Sequence, residues 1–176
     1  RYNIPPPIPI KKLITTNIKR CIIGPLYTVY TMKMITSLSF SPELIPLWET
    51  SLQKSSLQAP FLTYEWHRIY FSTDGKSEEP IIFHLPDLNI ISAFGKKDTT
   101  ASFVGPEITD YSDLIGPDEN KIRAWKEIIP ALQNLGIKKL FLTNIPASSP
   151  TYEYFLQASA NDANISINQR DITPRI

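Results

Sequence analysis

A regular stripe of apolar residues between positions 118 and 136 constrains the fold most strongly. Its members recur at intervals of three and four residues: Ile122, Trp125, Ile128, Ile129, Leu132 and Leu135. This spacing places them on one face of a helix. Asp118 is predicted to cap that helix, Gly136 to end it, and Pro130 to kink it or divide it in two. The stripe therefore predicts a long amphipathic helix.

Before this stripe, the sequence predicts one strand and two helices. Residues 31–37 alternate apolar and polar side chains, which favours a short strand. Ser41 followed by Pro42 is typical of a helix start, because serine caps the first turn and proline tolerates its first position. The apolar face of this first helix comprises Leu44, Leu47, Trp48 and Leu52. A second helix, rich in aromatic residues, is predicted over 61–70.

The centre of the chain is predicted to form strands. Residues 80–85 and 88–94 are apolar runs separated by the short turn Pro86-Asp87, which indicates a hairpin. Residues 101–104 and 111–115 are two further short apolar segments of the same kind.

The C-terminal part adds a strand, a helix and a final strand. Residues 138–143 predict a strand that is buried at its centre, 140–142. Ser149 and Pro150 repeat the helix-start pattern, and the alternation over 164–168 predicts the last strand. Because helices and strands are interleaved, the fold class is predicted to be α/β, with a mixed central sheet flanked by helices.

The domain organisation follows from the proline distribution at the start of the chain. Residues 1–10 read RYNIPPPIPI, and such a run favours extended backbone without the amide donors of a sheet. Residues 1–30 are therefore predicted to be an extended or disordered segment. Residues 31–176 are predicted to form one α/β domain.

Charge and composition exclude several classes of protein. Eighteen basic residues against 17 acidic ones give a net charge of +1, whereas a nucleic-acid-binding domain usually has a basic excess. The apolar runs fall far short of the ~20 residues that cross a bilayer, so no membrane span is predicted. The single cysteine, Cys21, excludes an internal disulfide and a cysteine-based zinc site. These features predict a cytoplasmic domain.

The candidate chemical groups are few. The six glycines are isolated from one another, and a phosphate-binding loop needs several close together. No coenzyme A loop is therefore predicted. His67 and His84 could each act as a general base, but a packing or surface role is favoured for both. Cys21 is a weak candidate nucleophile, because it lies in the segment predicted to be unfolded.

An acidic cluster surrounds position 113. Asp110, Asp113, Asp118 and Glu119 could bind a metal ion or an amine, which would suit a metal hydrolase. However, Asp110 and Asp113 would point to opposite faces of one strand. We therefore favour a turn role for Asp110 and a helix-cap role for Asp118, with no metal site.

The order of four segments resembles a known family. These segments are PFLTYEW at 60–66, DYSDLIG at 110–116, AWKEIIPAL at 124–132 and LTNIPASSPTYEYF at 142–155. With the opening strand and helix at 32–55, they resemble the N-terminal half of the CelD/BcsL-type cellulose-biosynthesis proteins of the GNAT acetyltransferase superfamily. Each motif alone is weakly specific, and their order and spacing carry the resemblance.

The resemblance implies a double-length protein with two GNAT-like domains, similar to the Fem-type aminoacyltransferases. This chain would be the first half, and its partners would be the second domain and a small amine or sugar acceptor. Acyl-CoA would bind the second half, so no cofactor is expected on this chain. Trp66, Asp110, Tyr111 and Asp113 match motif positions and are the candidate substrate-binding residues. The resemblance identifies no catalytic residue.

Two functions remain open from the sequence. The first is the acceptor-side or scaffolding half of an N-acyltransferase, which would position an amine against a thioester. The second is a noncatalytic binding or assembly domain that contacts its other half through an aromatic surface. Whether the chain is an enzyme by itself is left open by both.

Overall fold

The computed structural model describes residues 14–15, 34–162, 164 and 167. One sheet contains β1 (Ile14–Thr15), β2 (Ile35–Ser37), β3 (Glu79–Leu85), β4 (Ile90–Lys97), β5 (Thr100–Phe103) and β6 (Lys139–Phe141). The helices are α1 (Leu44–Gln53), α2 (Tyr64–Ser72), α3 (Asp118–Asn134) and α4 (Pro150–Ser159). The α/β class predicted from the sequence is confirmed.

The sheet is mixed, and its strands lie side by side in chain order. Strands β1 to β5 pair antiparallel with their neighbours, whereas β6 runs parallel to β5. The predicted hairpin is β3 and β4, joined by a 3₁₀ turn at Pro86–Leu88. Asn89 ends this turn with a φ of 52°, in the left-handed region that asparagine tolerates.

The sheet separates two hydrophobic layers. Alternate residues of a strand point to opposite faces, so Ile81 and Phe83 of β3 face one layer and Ile82 faces the other. The α3 layer packs around Trp125, and the α1–α2 layer packs around Trp48; both tryptophans are fully buried. Strands β3 and β4 are therefore shared by both layers.

The helix starts agree in part with the sequence. Ser149 is the N-cap of α4, as predicted, and its Oγ accepts a hydrogen bond from the N–H of Thr151 at 3.0 Å. The cap of α2 is Thr63, whose side chain accepts from the N–H of Trp66. The prediction for Asp118 is wrong. Pro117 holds the N-cap position of α3, and Asp118 lies inside the first turn.

Helix α3 continues through Pro130, which does not divide it. Proline removes the N–H that would bond to the carbonyl of Lys126, four residues earlier. Pro130 and Lys126 are both exposed, so water can take the place of the lost hydrogen bond. Of the two predicted effects of Pro130, division of the helix is therefore wrong.

Two strand predictions are wrong, and a third lies mostly outside the described residues. Residues 111–115 form no strand; only Ile115 forms an isolated bridge, with Ile91 of β4. The centre of β6 is not buried, because Leu140 is half-buried and Phe141 is exposed at the end of the sheet. In the predicted strand 164–168, Asn164 lies in a turn and Ile167 in no strand. The rest of that prediction, and most of residues 1–33, lie outside the described residues.

No helix in the part of the chain that the structure describes is both long enough and apolar enough to cross a membrane.

Candidate functional site

Asp113 is a buried carboxylate that joins three parts of the chain. Its Oδ2 accepts hydrogen bonds from Lys121 Nζ and Ser149 Oγ, both at 2.6 Å. Its Oδ1 accepts from Thr151 Oγ1 at 2.6 Å and from the N–H of Leu114 at 2.7 Å. Asp113 is 3% exposed and Lys121 is 1% exposed. We call Asp113, Lys121, Ser149 and Thr151 the Asp113 network.

Lys121 lies between two carboxylates. Besides Asp113, its Nζ lies 2.7 Å from Asp118 Oδ1, three residues earlier in α3. Asp118 Oδ2 in turn accepts a hydrogen bond from Ser56 Oγ at 2.6 Å. Burial raises the pKa of Asp118, but hydrogen bonds from Lys121 and Ser56 outweigh it and leave the pKa below its ordinary value. Asp118 is thus an ion-pair partner of Lys121.

The network also fixes helix α4 against α3. Ser149 Oγ caps α4 while it donates to Asp113, and the buried Thr151 donates to the same carboxylate. Thr151 Oγ1 also accepts from Trp125 Nε1 at 3.0 Å, so the main aromatic side chain of the α3 layer joins the network. Charged groups that are paired and hydrogen-bonded in this way can be buried without the cost of an unsatisfied polar atom.

The loop at 104–117, between β5 and α3, is held at a second point by Asn144. The backbone N–H of Ser112 donates to the Asn144 carbonyl at 3.0 Å. Asn144 Nδ2 donates to the carbonyls of Thr109 and Pro106. Asn144 adopts a φ of 58°, a left-handed conformation that asparagine accepts more readily than most residues. The loop is therefore bound both to the start of α4 and to the segment after β6.

The four predicted substrate-binding residues lie in three different settings. Asp110 and Tyr111 are exposed on the loop at 104–117, whereas Asp113 is buried in the network. Trp66 is half-buried on α2 and lies edge-on to Phe61, with ring centroids 5.1 Å apart. Among the described residues, no hydrogen bond or ring contact joins Trp66 to the other three. Asp110 and Tyr111 are thus exposed to an acceptor and Trp66 is partly exposed, whereas Asp113 is closed off in this conformation.

The histidines are buried in the layer that contains α1 and α2. His67 Nδ1 lies 2.7 Å from the Thr63 carbonyl, and its ring is 4.8 Å from that of Trp48. Burial lowers the pKa of His67 to about 4, although the hydrogen bond to Thr63 opposes the shift. His84 is buried on β3. These placements favour the packing role over the general-base role for both residues.

The metal hypothesis gains no support from the described residues. They contain no group of three or more His, Cys, Asp or Glu side chains placed to hold a metal ion. Cys21, the candidate nucleophile, lies outside the described residues. Asp110 lies in an exposed bend, as favoured from the sequence.

Lys121 and Thr151 belong to this site but are not among the residues predicted from the sequence. One signal for Lys121 was present: it lies four residues before Trp125 and seven before Ile128, on the apolar face of α3. A lysine on a buried helix face needs an acidic partner. No comparable signal pointed to Thr151, because its contact with Asp113 spans 38 positions.

Fold and site together define a mixed α/β domain. In it the buried Asp113 network holds the loop at 104–117 in place before α3. Searches of protein-family models, curated proteins and solved structures find no match to this chain.

Proposed function

We propose that this chain is the acceptor-side or scaffolding half of a GNAT-type N-acyltransferase and has no acyl-CoA loop of its own. The observation that carries the proposal is the Asp113 network, whose charged groups are buried and bonded within the chain. Asp113 and Lys121 are buried charged groups beside the start of α3, and they pair with each other inside the chain. A loop held in this way positions its neighbours and exposes no reacting group of the network.

The start of α3 also disfavours the phosphates of acyl-CoA. A helix N-terminus attracts anions, because its free N–H groups and dipole are positive. Here, however, Asp118 and Glu119 already place two carboxylates in the first turn of α3. A phosphate at this position would face like charge, which supports a donor site outside this chain.

The exposed part of the loop fits an acceptor-binding role better than a donor-binding role. Asp110 is exposed, and Tyr111 next to it is 40% exposed. A carboxylate beside an aromatic ring suits a protonated amine or an amino sugar. The Asp113 network and Asn144 hold this pair on a fixed loop, and such preorganisation lowers the cost of binding.

The donor side of the proposal can be tested by titrating the chain with acetyl-CoA in a calorimeter. We expect no binding up to about 1 mM, a weak limit on the affinity scale. Micromolar affinity would overturn the proposal that the donor site is absent from this chain.

The acceptor side can be tested by titrating ¹⁵N-labelled protein with glucosamine. We expect amide shifts at Asp110 and Tyr111 that Asp110→Asn weakens. The exposed Asp74→Asn is the matched control, because it removes the same charge from an exposed turn outside the loop at 104–117.

A noncatalytic assembly domain is the second candidate. It is favoured by exposed large apolar side chains, which include Phe141 on β6 and Ile108 and Tyr111 on the loop. Contiguous exposed apolar surface often marks a protein contact. If glucosamine causes no shift at Asp110 or Tyr111 and the chain associates in sedimentation experiments, this second role is preferred.

A further inference from the structure

Strand β6 ends the sheet and presents an open edge. Its residues pair with β5 in the parallel register Thr100 to Lys139 and Ala101 to Leu140. Within the described ranges no strand pairs with the opposite edge of β6. Unpaired N–H and C=O groups at such an edge can accept another strand.

The two faces of β6 differ in chemistry. Leu140 packs towards the α3 layer, beside a groove of about 110 Å³. Its lining combines Ile129, Leu132 and Ile137 with the polar residues Gln133, Lys138 and Lys139. Lys139 and Phe141 point to the opposite face, since side chains alternate along a strand. Phe141 is 57% exposed, more than any other large apolar side chain described. An added strand would therefore meet a partly apolar groove with lysines in its lining on one face and the exposed Phe141 on the other.

The charges at this edge indicate what kind of strand it accepts. Lys138 and Lys139 are both exposed, and neither forms an ion pair with any residue that the structure describes. Two copies of the chain paired through β6 would bring four ammonium groups together, and edge lysines are a common protection against such pairing. A strand that carries carboxylates would instead be attracted.

We propose that β6 is a docking edge for an extended segment of a partner polypeptide in which acidic and apolar residues alternate. The inference names the partner surface of the scaffolding role and so rests on the proposed function. Main-chain hydrogen bonds to β6 would give affinity, and Lys138, Lys139 and the groove beside Leu140 would select the side chains.

The experiment measures fluorescence anisotropy of a labelled, end-capped peptide of about eight residues that alternates Glu and Val, a length typical of strand addition. We expect it to bind the 176-residue chain at least about tenfold more tightly than the same peptide with Gln for Glu. Lys138→Glu and Lys139→Glu should each weaken binding by about tenfold. Lys126→Glu on the exposed side of α3 is the matched control, because it changes the net charge equally.

A second peptide separates strand addition from simple charge attraction. N-methylation of alternate amides blocks hydrogen bonding to an edge without changing charge, so we expect it to abolish binding. Equal binding of the methylated peptide, or an equal loss in Lys126→Glu, would overturn the inference. So would binding that appears only after residues 163–176 are removed, since the edge would then belong to this chain's own C-terminal segment.

These outcomes are distinct from a failure of the proposed function. Micromolar binding of acetyl-CoA would contradict the scaffolding role whether or not the peptide binds. Loss of peptide selectivity would leave the acetyl-CoA result unchanged.

Discussion

At the residue scale, Asp113 has the largest expected effect on stability. Asp113→Asn removes the buried partner of Lys121 and leaves an ammonium that is 1% exposed with only Asp118 beside it. Breaking a buried ion pair on one side costs about 3–5 kcal/mol when the remaining charge has no other partner. Asp118 still pairs with Lys121, so we expect a loss near the lower end of this range in the free energy of unfolding, measured by urea denaturation.

The matched control for Asp113→Asn is Asp110→Asn, which makes the same substitution three residues earlier. Asp110 is exposed, so its loss should change stability by no more than about 0.5 kcal/mol. If the two variants lose equal stability, the Asp113 network is not the source of the effect. Circular dichroism checks that Asp113→Asn still folds before the comparison is made.

The Asp113 network also shows how far residue-level prediction from the sequence extends. Asp113 is a predicted site residue because its segment resembles a family motif, and Ser149 is a predicted cap because serine before proline is typical of a helix start. The contacts of Asp113 with Ser149 and Thr151 could not be predicted from local patterns, since these residues lie 36 and 38 positions away in the chain. Local patterns report which residues cap or pack, whereas tertiary contacts of this kind depend on how elements are arranged.

At the element scale, the hairpin turn before β4 packs against the segment that precedes α3. Gly116 has a φ of +140°, and a side chain there would collide with the backbone oxygen of Asn89. Asn120 Nδ2 donates to the Leu88 carbonyl at 2.9 Å, which adds a second link between the turn and α3. The close approach of the two backbones therefore requires glycine.

Gly116→Ala should destabilise the protein more than Gly136→Ala does. Both glycines have positive φ, but nothing lies within 4 Å of the position where a Cβ of residue 136 would be. Gly136→Ala should cost about 1 kcal/mol of backbone strain, whereas Gly116→Ala should cost about 3 kcal/mol, because strain and a backbone collision add. Thermal unfolding of the two variants measures the difference, and equal losses would contradict the collision.

Elements were predicted well where a local pattern decides the structure. The hairpin, the aromatic helix α2 and the start of α4 all follow from turn residues, apolar spacing or capping residues. The segment at 111–115 was misread as a strand because a short apolar run is equally consistent with a buried loop. Burial of β6 was overestimated, since composition does not reveal that a strand lies at the end of a sheet.

At the scale of the whole molecule, the two layers on the shared sheet make acid stability depend on a buried histidine. His67 packs on Trp48 in the α1–α2 layer, and burial lowers its pKa from 6.5 to about 4. In the unfolded chain the same imidazole is exposed and takes up a proton near its ordinary pKa. Between pH 6.5 and 4 the unfolded state thus binds more protons, so stability falls as the pH falls through this window.

The shift of the His67 pKa corresponds to roughly 3 kcal/mol once the pH is below the folded-state value. His67→Gln should remove this part of the pH dependence, because an amide can still donate to the Thr63 carbonyl but does not titrate. Urea midpoints at about pH 7.5 and 4.5 should therefore differ less in the variant than in the parent chain.

The matched control is Arg68→Gln, at the exposed neighbour of His67 on α2. It should keep the pH dependence of the parent chain, since arginine stays charged throughout this range. An unchanged pH dependence in His67→Gln would mean that titrating groups other than His67 set the acid stability. Because β3 and β4 belong to both layers, the loss should appear in Trp125 fluorescence as well as in that of Trp48.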